Sequence, residues 1–262
     1  MKLSTLLFIS TICINSWAVQ VLQIGDSHTV GAFGDQLYKS LSLNSNVTSA
    51  RSIGLASASG SHYSAESAAQ RTLNYGFIDR PYMKSSSTKG TVDKLSTLLN
   101  NMKPDVLIVE LADNFSGYRT QSNDIFAKNE IQKILNQIST SNSKPNECFW
   151  VGPTWTDWVD DNGLPVDKRK NNKATFYKKS TLRAQQIANL IKKEIDGKCT
   201  FIDSMKIMAK SEVKTADGIH CNQASGVLWG QRVYEEITGR STLLGGISKM
   251  KPAGPPPTKK NK

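Results

Sequence analysis

A serine, a histidine and an aspartate in this chain stand where acyl-transfer chemistry would use them. Ser27 follows Gly25-Asp26 at the end of the apolar run Val19-Gln20-Val21-Leu22-Gln23-Ile24 and opens a segment with helical spacing. Such a strand-to-helix turn is where α/β hydrolytic enzymes expose a nucleophilic hydroxyl. The same position suits a helix N-cap, because Asp and Ser accept hydrogen bonds from the backbone N–H groups that begin a helix. A nucleophile needs a base, and the chain has only three histidines. His28 adjoins Ser27; neighbouring side chains diverge, so it is expected to line the site rather than take the serine proton. His62 lies in an aperiodic Ser/Ala/Gly-rich stretch and reads as a solvated loop residue. His220, in Ala216-Asp217-Gly218-Ile219-His220, sits after the last expected strand and before the last expected helix. From there it could face Ser27, with Asp217 hydrogen-bonding the imidazole and favouring the imidazolium. Asp217-Gly218 is equally a turn former, which would leave His220 as polar surface.

The elements that must position these residues follow from periodicity. Aliphatic and β-branched runs predict strands over residues 19 to 24, 49 to 53, 105 to 111, 147 to 152 and 199 to 203. Helical spacing predicts helices over 29 to 43, 91 to 101, 122 to 140, 172 to 196 and 224 to 238. Alternation of this kind implies α/β architecture: a three-layer sandwich around a central parallel sheet of about five strands. The first strand should be central, with Ser27 at the carboxyl edge, where open sheets place their sites.

Taken in order, these residues resemble the SGNH hydrolase superfamily, the GDSL esterase/lipase group. Gly25-Asp26-Ser27 fits its first block, with His28 where a Leu or similar residue is usual. Gly54, in Ala50-Arg51-Ser52-Ile53-Gly54, fits the second block, and Gly60 is a competitor for that place. Asn114 fits the third, a strand running into Gly-x-Asn, with Ala112 in place of the glycine. Asp217-Gly218-Ile219-His220 fits the closing Asp-x-x-His. The resemblance implies a flavodoxin-like SGNH fold and resembles carbohydrate O-acetylesterase-type members most. It also implies a division of labour. Ser27 attacks an ester carbonyl, His220 takes its proton and Asp217 orients His220. The N–H groups of Ser27 and Gly54 and the Asn114 amide form the oxyanion hole. No metal or other cofactor is expected: ligand-like His/Cys/Asp/Glu spacings and glycine-rich phosphate loops are missing from the sequence.

Composition frames where this chemistry would act. Residues 1 to 18, with Lys2, an apolar core and Ser16-Trp17-Ala18, read as a signal peptide, so an exported, periplasmic or secreted protein is expected. Residues 19 to 248 would form the single SGNH domain, and 249 to 262, rich in Pro and Lys, a disordered basic tail. The net charge of +11 favours acidic partners, such as an anionic cell-wall polymer or membrane surface reached through the tail. No nucleic-acid partner and a monomeric state are expected. Of the four cysteines, Cys13 belongs to the leader; Cys148 and Cys199 each open a neighbouring predicted strand, which makes a disulfide plausible. That leaves Cys221 beside His220.

The long stretch 57 to 90 would either roof the site or form a passive surface excursion. Trp155 and Trp158, in a Thr/Asp/Gly/Pro loop, are read as a wall for sugar rings, with core packing as the alternative. Together these features point to an exported serine esterase removing small O-acyl groups, acetyl above all, from a carbohydrate such as peptidoglycan or another polysaccharide. Alternatives are an O-acetyltransferase using the same acyl-enzyme, a lipase or lysophospholipase, and a non-catalytic wall-binding module.

Overall fold

The computed structural model describes residues 18–82, 84–115, 121–156, 181–215 and 219–245. Strand β1 (Val19–Gly25) runs into a one-turn helix α1 (Ser27–Val30) and then α2 (Ala32–Ser42). Next come β2 (Val47–Leu55), α3 (Gly60–Ser64), β3 (Thr72–Leu73), β4 (Phe77–Arg80), β5 (Lys84–Ser86) and β6 (Gly90–Thr91). The chain continues through α4 (Leu95–Met102), β7 (Val106–Glu110), α5 (Gln121–Thr140), β8 (Glu147–Val151) and α6 (Thr181–Glu194). It closes with β9 (Thr200–Ile202), α7 (Ser204–Ile207) and α8 (Gln223–Arg240). Helix α6 falls within the predicted segment 172 to 196; residues 157 to 180 lie outside the described residues.

Among the described residues, the main sheet has seven strands in the order β5-β4-β2-β1-β7-β8-β9. Its five parallel strands are those the sequence predicts, with β1 paired to β2 on one side and β7 on the other. The additions are β4 and β5, an antiparallel hairpin on the β2 edge, while β3 and β6 form a small separate sheet. The stretch 57 to 90 thus extends the sheet. Strands β4 and β5 escape the periodicity reading because they are short and their apolar pattern is interrupted by Asp79, Arg80 and Lys84.

A central parallel strand is covered on both faces, which explains the nearly unbroken apolar run of β1. Val19 and Val21 pack with Phe33, Leu37, Trp229 and Val233 in the layer of α2 and α8. Leu22 and Ile24 face Leu95, Leu99, Ile131 and Ile187 on α4, α5 and α6. Burying a side chain of this size stabilises a fold by ~1.5–3 kcal/mol, so the site rests on a doubly braced strand. Helix α4 stops where Lys103 adopts the left-handed φ of 48° and its N–H bonds the Leu99 carbonyl, just before Pro104. The helix predicted over 29 to 43 is divided in two. The Gly31 N–H closes α1 onto the carbonyls of Ser27 and His28, and Gly31 is extended before α2 begins.

Cys148 in β8 and Cys199 just before β9 form a disulfide with Cα atoms 4.6 Å apart. Cys221 takes no part in it; its backbone pairs with that of Thr215 in an isolated antiparallel β-bridge.

Candidate active site

Ser27 is the first residue of α1, at the carboxyl edge of the central strand. Two glycines let that one-turn helix sit directly on the sheet. A Cβ on Gly25 would come within 2.0 Å of Thr29 Oγ1, and one on Gly54 within 2.7 Å of the Val30 nitrogen. Asp26 caps the helix, its Oδ1 accepting a hydrogen bond from the His28 N–H at 3.0 Å. At the other end of α1 the buried guanidinium of Arg80 donates to the carbonyls of Thr29 (3.1 Å) and Val30 (3.3 Å). The added hairpin therefore holds the nucleophile turn from below.

His220 meets Ser27 across 193 positions of sequence: its Nε2 lies 2.9 Å from Ser27 Oγ, within reach for proton transfer. Asp217 and Trp158, both singled out from the sequence, lie outside the described residues. Asn114 sits in a tight turn, Asp113–Phe115, after β7. Its Nδ2 donates to Asp26 Oδ2 at 3.0 Å and to the Ala58 carbonyl at 2.8 Å. Ser27, Asn114 and His220 thus converge on one edge of the sheet. An incoming oxyanion would compete with Ala58 or Asp26 for the Asn114 amide, which has two N–H bonds to give.

Four sequence expectations are corrected here. Gly54 is an interior residue of β2, in register with Gly25 of β1 and Ile78 of β4. Strands flank it on both sides, so its backbone belongs to the sheet, and its lack of a side chain serves the approach of Val30. The competitor Gly60 instead opens α3, in a segment tied to the site by Ala58 and by Tyr63, whose hydroxyl donates to the carbonyls of Gly25 (2.7 Å) and Ile53 (3.2 Å). Helix α3 presses closely on α5, where a Cβ on Gly60 would come within 2.0 Å of the Glu130 carbonyl. The Glu130 carboxylate binds the Ser61 N–H and hydroxyl at 2.6 and 2.7 Å.

The second correction concerns His28. Its ring is buried rather than open to substrate: only 3% of the residue is exposed. Nε2 lies 2.5 Å from Asp113 Oδ2, and the ring stands edge-on to Trp229 at 5.2 Å and tilted to His220 at 5.5 Å. The third is Trp155, whose indole N–H donates to the Met208 carbonyl at 2.7 Å while its ring packs on the α2/α8 layer. This anchoring fits the packing alternative better than a sugar platform. His62 is also not a solvated loop residue, since Nδ1 accepts the Ser59 N–H at 3.0 Å inside a capping box on α3.

Beneath Ser27 lies a polar cluster that the sequence reading missed. Asp26, Glu110 and Asp113 are all at least 98% buried. Burial, with Asp26 and Asp113 close by, pushes the Glu110 carboxyl well above its usual range. Thr29 Oγ1 lies 3.0 Å from Glu110 Oε2 and ties α1 to β7. The available signal was a glutamate ending an otherwise apolar strand, Val106–Glu110, where a charge must find a partner or a proton. Among the described residues, no group of three or more His, Cys, Asp or Glu side chains is arranged to hold a metal ion.

The fold recurs in known proteins. The chain shares its architecture with a carbohydrate acetylesterase family member from Sinorhizobium meliloti, at a TM-score of 0.56 and 18% identity over 87% of this chain and 99% of that one. The chain has the SGNH hydrolase fold. An M. smegmatis aryl esterase superposes comparably, at a TM-score of 0.54 and 16% identity, covering 85% of this chain and 99% of its own. Protein BcsX of Komagataeibacter xylinus is 25% identical over 180 residues, 69% of this chain. The chain spans 57% of the length of that curated relative. No family model matches the sequence.

Proposed function

We propose that this protein is an exported serine esterase that removes small O-acyl groups, chiefly acetyl, from a carbohydrate polymer. The observation that carries the chemistry is the 2.9 Å approach of His220 Nε2 to Ser27 Oγ at the carboxyl edge of the central strand. In this reading His220 accepts the Ser27 proton as Oγ attacks the acyl carbonyl. The tetrahedral oxyanion is met by the N–H groups of Ser27 and Gly60 and by the Asn114 amide, released from Ala58. His220 then protonates the departing sugar oxygen, and water attacks the acyl-enzyme with His220 again as base. Asp217 is assigned the orientation of His220, as the sequence block suggests.

The acetyl and carbohydrate parts draw support from the S. meliloti neighbour, named as a carbohydrate acetylesterase. Export draws support from the apolar leader and from the Cys148–Cys199 disulfide, since such bonds persist in oxidising compartments. The test is acetate release from a short-chain acetyl ester and from acetylated polysaccharide, by the wild type and by Ser27→Ala. Loss of at least ~10⁴-fold in kcat is expected for the variant. Equal turnover by the two would overturn the nucleophile assignment. Turnover rising with acyl chain length would replace the acetyl reading with a lipase, and acetyl transfer to added glycan in preference to water would replace hydrolysis.

A further inference from the structure

Two neighbouring turns are fastened at two points. Asp26 Oδ2 accepts from Asn114 Nδ2 at 3.0 Å, and His28 Nε2, from two residues after Asp26, lies 2.5 Å from Oδ2 of Asp113, the residue before Asn114. The first contact joins two block residues. The second joins His28, which departs from the usual Leu of the first block, to the variable residue of the third. Both partners are buried, with side chains 2% exposed, and the His28 ring fills the space between Trp229 and His220. A leucine there would leave the Asp113 carboxylate without this partner.

We propose that His28 and Asp113 form a buried charge pair that locks the nucleophile turn to the Asn114 turn and backs the ring of His220, making His28 a positioning residue for the general base. This rests on the esterase reading for its catalytic meaning, but the pair itself is a matter of geometry. Titratable groups lie against His28 from three segments of the chain. Asp26 on its own turn binds its N–H, Asp113 comes from the turn after β7, and His220 from the segment before α8. Glu110 of β7 interacts with both Asp26 and Asp113, and its carboxyl is pushed above its usual range.

An imidazolium matched to Asp113 leaves His220 beside a neutral pair. Removing the imidazolium takes away a like charge and leaves the Asp113 carboxylate uncompensated, and this single change favours protonated His220. Proton uptake by His220 therefore moves to higher pH, and deleting the carboxylate as well reverses the shift.

The experiment follows the three histidines by NMR titration of imidazole-labelled protein in the wild type, His28→Leu, Asp113→Asn and the double variant. His62, held in its own capping box, serves as internal reference. In His28→Leu the His220 midpoint should rise by about one pH unit, and the acid limb of kcat/KM should rise with it. In the double variant both should return to wild type, and Asp113→Asn alone should not raise either. If His28→Leu does not fold, His28→Gln is read the same way. An unmoved His220 midpoint in folded protein, or a double variant shifted as far as His28→Leu, overturns the pair whatever the ester assay gives. Conversely, the stated shifts without Ser27-dependent turnover would overturn the esterase reading and leave the pair standing.

Discussion

The two edges of the central sheet are built on opposite principles. At the amino edge, polar groups meet simple partners near the surface. Asp105 accepts from the Gln20 N–H at 2.9 Å and from Asn146 at 3.2 Å, and Glu147 binds the N–H and hydroxyl of Thr242 at 2.8 and 2.7 Å. The Cys148–Cys199 disulfide fastens this edge covalently. At the carboxyl edge three carboxyl groups and a histidine are crowded under Ser27, nearly without solvent. Burying charge is costly unless it is paired or protonated, so one edge contributes stability while the other spends it on preorganised chemistry.

Breaking the carboxyl edge should abolish turnover before it affects folding. Asn114→Ala is expected to lower kcat by ~10²- to 10³-fold, the usual cost of one oxyanion donor. Steady-state kinetics on an acetyl ester check this, with circular dichroism showing that the fold survives. A loss below tenfold would remove Asn114 from the oxyanion hole. The amino edge should answer in the opposite way. Replacing both Cys148 and Cys199 by Ser opens a link spanning 51 positions and should cost ~2–4 kcal/mol of stability. Urea unfolding measures that loss, while kcat should stay unchanged.

The comparison is sharpened by a single atom exchange at the crowded edge. Glu110 has its pKa raised in the folded protein, so its contribution to stability is complete below its ordinary value of 4.5 and is lost as pH rises through the raised value. Glu110→Gln mimics the neutral acid. The variant should therefore match wild type in acid and become the more stable of the two as pH increases, visible as diverging urea midpoints between pH 4 and 9. Parallel midpoints across that range would show Glu110 to be ionised in the fold.

What the sequence disclosed about these edges depended on the range of each signal. The parallel strands were legible because strands covered on both faces must be continuously apolar, as Val106–Val109 is. Ser27, Asn114 and His220 were legible because a block pattern preserves chain order even when contacts span the whole domain. Gly54 misled, since a glycine required for helix-to-sheet contact looks identical in sequence to one that offers an N–H to substrate. The break at Gly31 was hidden by apolar spacing that continues through it. The His28–Asp113 contact joins residues far apart in the chain, and local periodicity carries no information about such pairs. Trp155 looked exposed by its company of Thr, Pro and Asp, yet the Met208 carbonyl anchors it.

Arg80 gives the hairpin a hold over the site out of proportion to its size. The guanidinium that grips the Thr29 and Val30 carbonyls arrives from 51 and 50 residues downstream, and a second clasp, Arg51 with Asp79 at 2.8 and 2.9 Å, seats that strand beside β2. The parallel core accounts for where Ser27 stands, but the carbonyls at the end of its helix are held by a residue of the antiparallel rim, so the rim is the foundation of the nucleophile turn rather than an ornament of the sheet.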